Sequence, residues 1–357
     1  MKVLHLPTAV GGNAFGLARA ETELGLESRV LIAEPLQYGQ KGDISLNLEN
    51  GQPLTVKLYK LAKAFLECRS RYDVFHFNYG LSLINFPRYG FVQVELPFYP
   101  KRARLFVTYN GCDARQKFPT MQRTSVAACH QEWCYGGMCN SGERDRLRQK
   151  GIAKMARHVE HIWALNPDLL RFLPPGKSSF LPYTIAEWAN LPHRPTDADK
   201  KTLKIVHAPT DRAAKGTGFI VEALEKLAAK YPGAVEVRMA ENLGHRRLLE
   251  VLGEADLVVD QILIGWYGAL AVEAMKMGKP VIARIARDDL QFLPPAMAGQ
   301  VLEGVIDADP ATLFDVLARC LEDRAFLRRK SLAGRDYVHH WHDPATVARI
   351  TAERYEA

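Results

Sequence analysis

No stretch of this 357-residue chain is apolar for long enough to cross a membrane as a helix. The longest apolar runs are strand-sized, as at Leu257-Val258-Val259, and a span needs roughly 18 residues. The N-terminus, Met1-Lys2-Val3-Leu4-His5-Leu6-Pro7, has neither a long apolar core nor a small-residue cleavage site. It is therefore expected to be the first strand of a cytoplasmic fold. Cysteine is sparse, six in all, and a chain of this length builds a core without disulfides or metals. Low-complexity tracts and short repeats are missing, which argues against disordered linkers and solenoids. A basic excess is missing from the C-terminal half. Residues 1–195 hold 25 Lys and Arg against 16 Asp and Glu, so the whole net charge of +7 lies in the N-terminal half. No nucleic-acid motif accompanies that charge, so nucleic acid is not an expected partner. A solvated basic face and a surface for anionic lipid head groups or a polyanionic acceptor both fit it.

What is present is an alternation of strand and helix patterns. Lys2–Leu6 reads as a strand, followed by a turn at Gly11, Gly12 and Asn13 and a helix through Phe15, Leu17 and Leu24 that ends at Gly25. Segments 28–33, 73–77, 104–109 and 161–165 are further strands. The pattern restarts with a strand at 203–207, a loop at 208–216, a helix over 217–230, and strands at 234–239, 257–259 and 280–283. Such βαβα order predicts an α/β fold with parallel sheets covered on both faces. Two Rossmann-like domains facing across a cleft follow, with the switch near 181–201. Ligands of such domains sit at the carboxyl ends of the strands, where helix N-termini point.

Two segments carry candidate chemistry. In the loop 207–217, Arg212 and Lys215 stand where cations reach an anion at a helix N-terminus, and Gly216 and Thr217 add N–H groups. A surface loop capped by Thr217 explains the same residues. In Asp260-Gln261-Ile-Leu-Ile-Gly265-Trp266-Tyr267-Gly268, a strand ends and a glycine loop leads into a helix bearing Glu273. A carboxylate among Leu270, Val272, Ala274 and Met275 needs a partner, either a ribose diol or a buried cation.

These residues resemble the donor domain of retaining glycosyltransferases, family four (glycosyl transferases group 1), which have the GT-B fold. Lys215-Gly216 is similar to the family's diphosphate-binding pair. Glu273-Ala274-Met275 with Gly278-Lys279-Pro280-Val281-Ile282 is similar to its ribose-binding motif. Gly11-Gly12 resembles its first glycine loop, Asp73-Val-Phe-His76 its Asp-x-x-His strand end, and Gly334–Pro344 the segment that crosses back to the first domain. The resemblance implies an acceptor-binding domain over 1–185, a nucleotide-sugar-binding domain over 186–340, and a final helix, 341–357, packed back on the first domain. It implies a hexosyltransferase-like enzyme that transfers a sugar from a UDP- or GDP-sugar to a glycan or lipid-linked acceptor, with retention, in polysaccharide or glycoconjugate synthesis. It requires no metal, which agrees with the lack of an Asp-x-Asp motif near the donor loop. The lack of a paired carboxylate dyad separates the chain from glycoside hydrolases.

Departures from the family pattern shape the expected site. Position 265, where the family has a sugar-contacting glutamate, is Gly. N–H groups of Trp266 to Ala269 are then the expected sugar or phosphate contacts, with Asp260 or Gln261 supplying a polar side chain. Thr210 replaces a basic residue, which leaves Arg212 to substitute. Asn110 replaces a histidine near the donor sugar and cannot act as a base. Asn110, Asp113, Arg115, Gly11 and Gly12 are expected around the donor–acceptor junction. Cys112, Cys129, Cys134 and Cys139 form a spaced set beside His130. A structural Zn²⁺, a disulfide and unpaired thiols are the alternatives for it, and the insert is expected on the acceptor side. Two rival functions remain, a nucleotide-sugar 2-epimerase and a non-catalytic nucleotide-sugar-binding subunit. A dinucleotide dehydrogenase is disfavoured, because Gly11–Gly16 does not follow G-x-G-x-x-G. Peripheral contact with the inner face of an anionic membrane is the expected location beyond the cytoplasm.

Overall fold

The computed structural model describes residues 1–36, 40–197 and 200–357. Its strands are β1 (Lys2–Leu6), β2 (Glu27–Ile32), β3 (Ile44–Ser45), β4 (Val74–Asn78), β5 (Asn85–Phe86), β6 (Phe91–Val92), β7 (Arg104–Tyr109), β8 (His161–Ala164), β9 (Ser178–Phe180), β10 (Leu203–His207), β11 (Val235–Met239), β12 (Leu257–Val259), β13 (Val281–Ala283) and β14 (Ile306–Asp307). The helices are α1 (Asn13–Glu23), α2 (Leu54–Cys68), α3 (Lys117–Arg123), α4 (Glu143–Ala156), α5 (Arg212–Lys215), α6 (Thr217–Lys230), α7 (His245–Glu254), α8 (Ala269–Lys276), α9 (Pro295–Gly304), α10 (Leu313–Glu322), α11 (Arg324–Trp341) and α12 (Pro344–Glu356). Among the described residues no helix is long and apolar enough to cross a membrane.

The chain forms two compact units. The first comprises Met1–Gln116, Arg144–Ala186 and Asp343–Ala357, and the second Lys117–Glu143 and Glu187–His342. Residues 117–143, expected inside a continuous first domain, therefore belong to the second unit. Of the expected linker 192–201, residues 198 and 199 lie outside the described residues. Its earlier part is fixed to the second unit: Arg194 N donates to Met277 O at 2.8 Å and Thr196 Oγ1 to Asp256 O at 2.8 Å.

The first unit is built on a parallel sheet of order β3-β2-β1-β4-β7-β8-β9. All five residues of β4 and the last four of β1 are buried, as strands covered on both faces require. Helix α1 packs close because residue 16 is Gly. A Cβ there would stand 2.9 Å from the carbonyl carbon of Ile185. The last helix, α12, starts where Asp343 caps it, accepting from Ala345 N at 3.0 Å and Thr346 N at 3.4 Å, with Pro344 in its first turn. Its Thr351 and Tyr355 reach Glu21 of α1 at 3.1 and 3.0 Å, which ties the C-terminal helix into the first unit.

The second unit carries a parallel sheet of order β11-β10-β12-β13-β14. Both sheets are thus doubly wound, Rossmann-like α/β arrangements, in agreement with the sequence reading. In the second, the strand order reverses between β10 and β12. That switch point opens a crevice at the carboxyl ends of neighbouring strands. The loops that leave there are 208–216, carrying Lys215, and 260–268, leading to Glu273.

Candidate functional site

At the switch point of the second unit, Lys215 and Asp260 meet. Lys215 ends the short helix α5, and Gly216, in the left-handed conformation, turns the chain into α6. Asp260 directly follows β12. The Lys215 Nζ to Asp260 Oδ1 distance is 2.8 Å, and the Asp260 side chain is fully buried. The other oxygen of Asp260 accepts from Gly268 N at 2.6 Å. One carboxylate thus joins the cation of the first loop to the N-cap of α8. A Cβ on Gly268 would lie 3.4 Å from both Lys215 Nζ and Asp260 Oδ2. The next N–H groups, of Ala269 and Leu270, lie in the first turn of α8, where helical geometry supplies no partner. An ammonium group and a helix N-terminus form an environment suited to an anion.

Glu273 lies one turn further along α8 and is buried, and its Oε1 accepts from His245 Nε2 at 2.7 Å. That bond holds the His245 pKa above its ordinary value against the opposing effect of burial. His245 opens α7, a contribution that the sequence analysis missed. Beneath the loop, buried His207 donates from Nδ1 to Val259 O at 2.8 Å, so its Nε2 accepts from Thr217 Oγ1 at 2.9 Å. Burial pushes its pKa down to about 4, which keeps it neutral. His207 therefore ties β10 to β12 and α6, and Gly216 holds the N-cap position expected for Thr217.

The other expected donor residues have different occupations. Arg212 is exposed and pairs with Glu241 at 2.8 Å, and Thr210 is exposed. The Gln261 amide donates to Trp266 O and braces the glycine loop from within. Trp266 and Tyr267 are buried and stacked, with ring centroids 4.5 Å apart. Tyr267 bonds Tyr337 at 2.5 Å and His342 at 2.7 Å. The Tyr267 side chain anchors the loop to the C-terminal motif. The N–H of Gly268, expected to face ligand, is occupied by Asp260. Gly265 has φ +85°, and a Cβ there would lie 2.9 Å from Ala286 Cβ. No glutamate fits that position without strain.

The insert also differs from expectation. It packs on the donor loops of the second unit. Val126, Ala128 and Cys134 join the apolar cluster around Ile262 and Leu263. Ala128 N donates to Leu263 O at 3.2 Å, and Tyr135 N donates to Asp211 Oδ2 at 3.1 Å. Of the four cysteines considered for zinc, Cys112 belongs to the first unit and the other three to the second. Among the described residues they form no group of three ligands within reach of one ion. The group that does is His5, Glu21 and His76. These three are buried and already bonded. Glu21 accepts from His5, Ser28, Thr351 and Tyr355, and His76 lies between Thr108 and Tyr355, 2.6 Å from each. Burial, followed by the nearby His5 and His161, holds the His76 pKa well below its ordinary value. The Asp73–His76 strand end thus fastens α12.

In the first unit, Asp113 accepts from Asn110 N at 2.9 Å and Gly111 N at 2.5 Å. Burial nevertheless raises its pKa to about 6. Asn110 Nδ2 reaches Val10 O at 3.4 Å, beside Gly11 and Gly12, and its buried Oδ1 has no partner. Those four expected residues are therefore neighbours on the loops after β1 and β7. Arg115 is not open to a ligand. It is buried in a bidentate pair with Asp168, at 2.6 and 2.9 Å.

No family model matches the sequence, and no curated protein matches it. Solved structures do. Sucrose-phosphate synthase from Thermosynechococcus elongatus is similar over 100% of this chain and 98% of its own, with TM-score 0.61 and 17% identity. A glycosyltransferase from Rickettsia africae is similar over 99% and 97%, with TM-score 0.56 and 13% identity. The UDP-GlcNAc 2-epimerase from Neisseria meningitidis, bound to UDP-GlcNAc, is similar over 99% of each chain, with TM-score 0.53 and 15% identity. At these identities the likeness establishes the fold, two Rossmann-like domains of the GT-B kind.

Proposed function

We propose that this chain is a glycosyltransferase of the retaining family-four kind, which moves a sugar from a UDP- or GDP-sugar to a glycan or lipid-linked acceptor. The observation that carries the reading is the Lys215–Asp260–Gly268 chain at the switch point of the second unit's sheet, with Glu273 one helical turn beyond. Lys215 and the first N–H groups of α8 bind the donor's diphosphate. Glu273, held by His245, accepts from the ribose hydroxyls. As the sugar–oxygen bond breaks, negative charge grows on the leaving diphosphate, and a fixed cation there lowers the barrier. Asp260 keeps the ammonium group in position at no cost when reaction begins. Asn110, Asp113, Gly11 and Gly12, which lie together in the first unit, are assigned to the acceptor side, with Asn110 Oδ1 available to a hydroxyl.

The enzyme is assigned to the cytoplasm, in peripheral contact with the membrane. Tyr59 and Leu66 of α2 are 69% and 62% exposed and flank Lys63, the combination found in helices that lie in a lipid interface. A panel of UDP- and GDP-sugars with and without oligosaccharide and lipid-linked acceptors tests the function. Release of nucleoside diphosphate that requires an acceptor supports transfer. Isomerisation of donor alone would replace it with the epimerase reading, and binding without turnover with that of a non-catalytic subunit.

A further inference from the structure

Among the described residues, Arg284 is a cation without an ion pair, beside the glycine loop of the donor site. It directly follows β13, so β10, β12 and β13, adjacent in the sheet, deliver Lys215, Asp260 and Arg284 at their carboxyl ends. The backbone fixes it there. Arg284 N donates to Gln261 O at 2.9 Å and Ala286 N to Gly265 O at 2.8 Å, so 284–286 runs along the loop. Its guanidinium lies against Gly265, with Nη1 3.2 Å from where a Cβ would stand.

This guanidinium is partly buried, and its one side-chain bond runs from Nη2 to Thr124 Oγ1 at 3.3 Å. Among the described residues no carboxylate lies within 4 Å of it. The nearby acids are occupied: Asp289 with Arg123 at 3.2 Å, Asp307 with Arg287 at 3.3 Å and Ile285 N at 2.9 Å, and Asp309 with the N–H groups of Ala311 and Thr312. Burial lowers its pKa from the ordinary arginine value, the sign of a charge removed from water without full compensation. Most of its five N–H directions are unfilled, and that planar fork matches a carboxylate.

We propose that Arg284 reads a carboxylate on the sugar of the donor, so that the preferred donor is a nucleotide uronate. The proposal rests on the donor-site reading above. Its logic is an inversion of charge. A glutamate at 265 would accept from neutral sugar hydroxyls and repel an acid. Glycine at 265 removes that carboxylate and leaves Arg284 as the charged group against the loop. Lys215, at the Gly268 end of the loop, serves the diphosphate, and Arg284, at the Gly265 end, serves the sugar.

Calorimetric titration of UDP, UDP-glucose, UDP-glucuronate, GDP, GDP-mannose and GDP-mannuronate into wild type, Arg284→Met and Arg284→Lys tests it. Wild type should bind the uronate of its preferred nucleotide about tenfold or more tighter than the neutral sugar, as a charge-assisted pair gives. Arg284→Met should erase that preference and leave affinity for the bare nucleotide unchanged. Arg284→Lys should keep part of the preference, because it retains charge without the fork. Equal affinity of wild type for neutral and acidic sugars would overturn the proposal while leaving the donor site intact. So would loss of bare-nucleotide affinity in Arg284→Met, which would move the arginine to the diphosphate. Failure of every nucleotide to bind wild type would instead remove the donor-site reading, and this proposal with it.

Discussion

Replacing Lys215 by Met should have two separable effects, one on stability and one on nucleotide binding. The ammonium group lies 2.8 Å from Asp260, whose side chain has no exposure, so its removal leaves a buried carboxylate with Gly268 N as its remaining partner. Breaking one side of a buried pair costs about 3–5 kcal/mol, and the surviving Gly268 bond places the loss near the lower figure. For a unit of this size, about 3 kcal/mol lowers the melting temperature by roughly 6–12 °C. Loss of the cation should also weaken UDP or GDP binding by about 1.5–3 kcal/mol, on the order of tenfold to a hundredfold. The double variant Lys215→Met/Asp260→Asn separates the two effects. Its neutral amide still accepts from Gly268 N, so most of the melting temperature should return, while nucleotide affinity should stay low. Scanning calorimetry and titration on the same samples read both quantities. Recovery of affinity together with stability would refute the diphosphate role, because the single variant's defect would then be one of folding.

Other outcomes follow from the same structure. The bond to Glu273 raises the folded-state pKa of His245, so its contribution to stability is complete below the unfolded value near 6.5 and is lost as pH rises through the folded one. Glu273→Gln should remove that component of the decline in melting temperature between pH 6 and 8, and an unchanged profile would deny the coupling. Burial raises the Asp113 carboxyl to about 6, so its charge costs stability above that pH, and the cost fades as pH falls through it. Asp113→Asn should therefore flatten the wild type's loss of stability between about pH 4 and 6, and a steeper loss in the variant would contradict this. Gly16→Ala should destabilise the first unit by about 1–3 kcal/mol, since a Cβ 2.9 Å from the Ile185 backbone forces a shift in denaturant midpoint. Tyr59→Ser/Leu66→Ser should reduce sedimentation with anionic vesicles while leaving melting temperature within a degree or two, and unchanged sedimentation would exclude α2 as the lipid contact.

The elements that could be read in the sequence were those with a local signature. β1, β10 and β12 are short apolar runs, α6 has its stripe through Ile220, Leu224 and Leu227, and α12 opens on Asp343-Pro344. Lys215-Gly216 and Glu273 were singled out as candidates for a related reason: each lies in a segment that leaves a strand, passes a glycine turn and enters a helix. The pairings between segments were not. Asp260 was read as a ligand contact, yet it neutralises a lysine 45 residues away. His245 reaches Glu273 across 28 residues, and Tyr267 reaches His342 across 75. The insert at 117–143 was placed by its neighbours in sequence, whereas its apolar residues pack on Leu263 and Ile262, more than a hundred positions later. No periodicity encodes such partners, because they are chosen by burial once both elements exist. Arg284 was passed over because it directly follows a buried strand and belongs to no motif.

Amide hydrogen exchange with and without saturating UDP or GDP tests the central claim most directly. The account predicts protection concentrated in peptides covering 208–217 and 260–276, abolished in Lys215→Met/Asp260→Asn and reduced in Glu273→Ala. Protection elsewhere in the chain with those two segments unaffected, or protection that survives both variants, would contradict it.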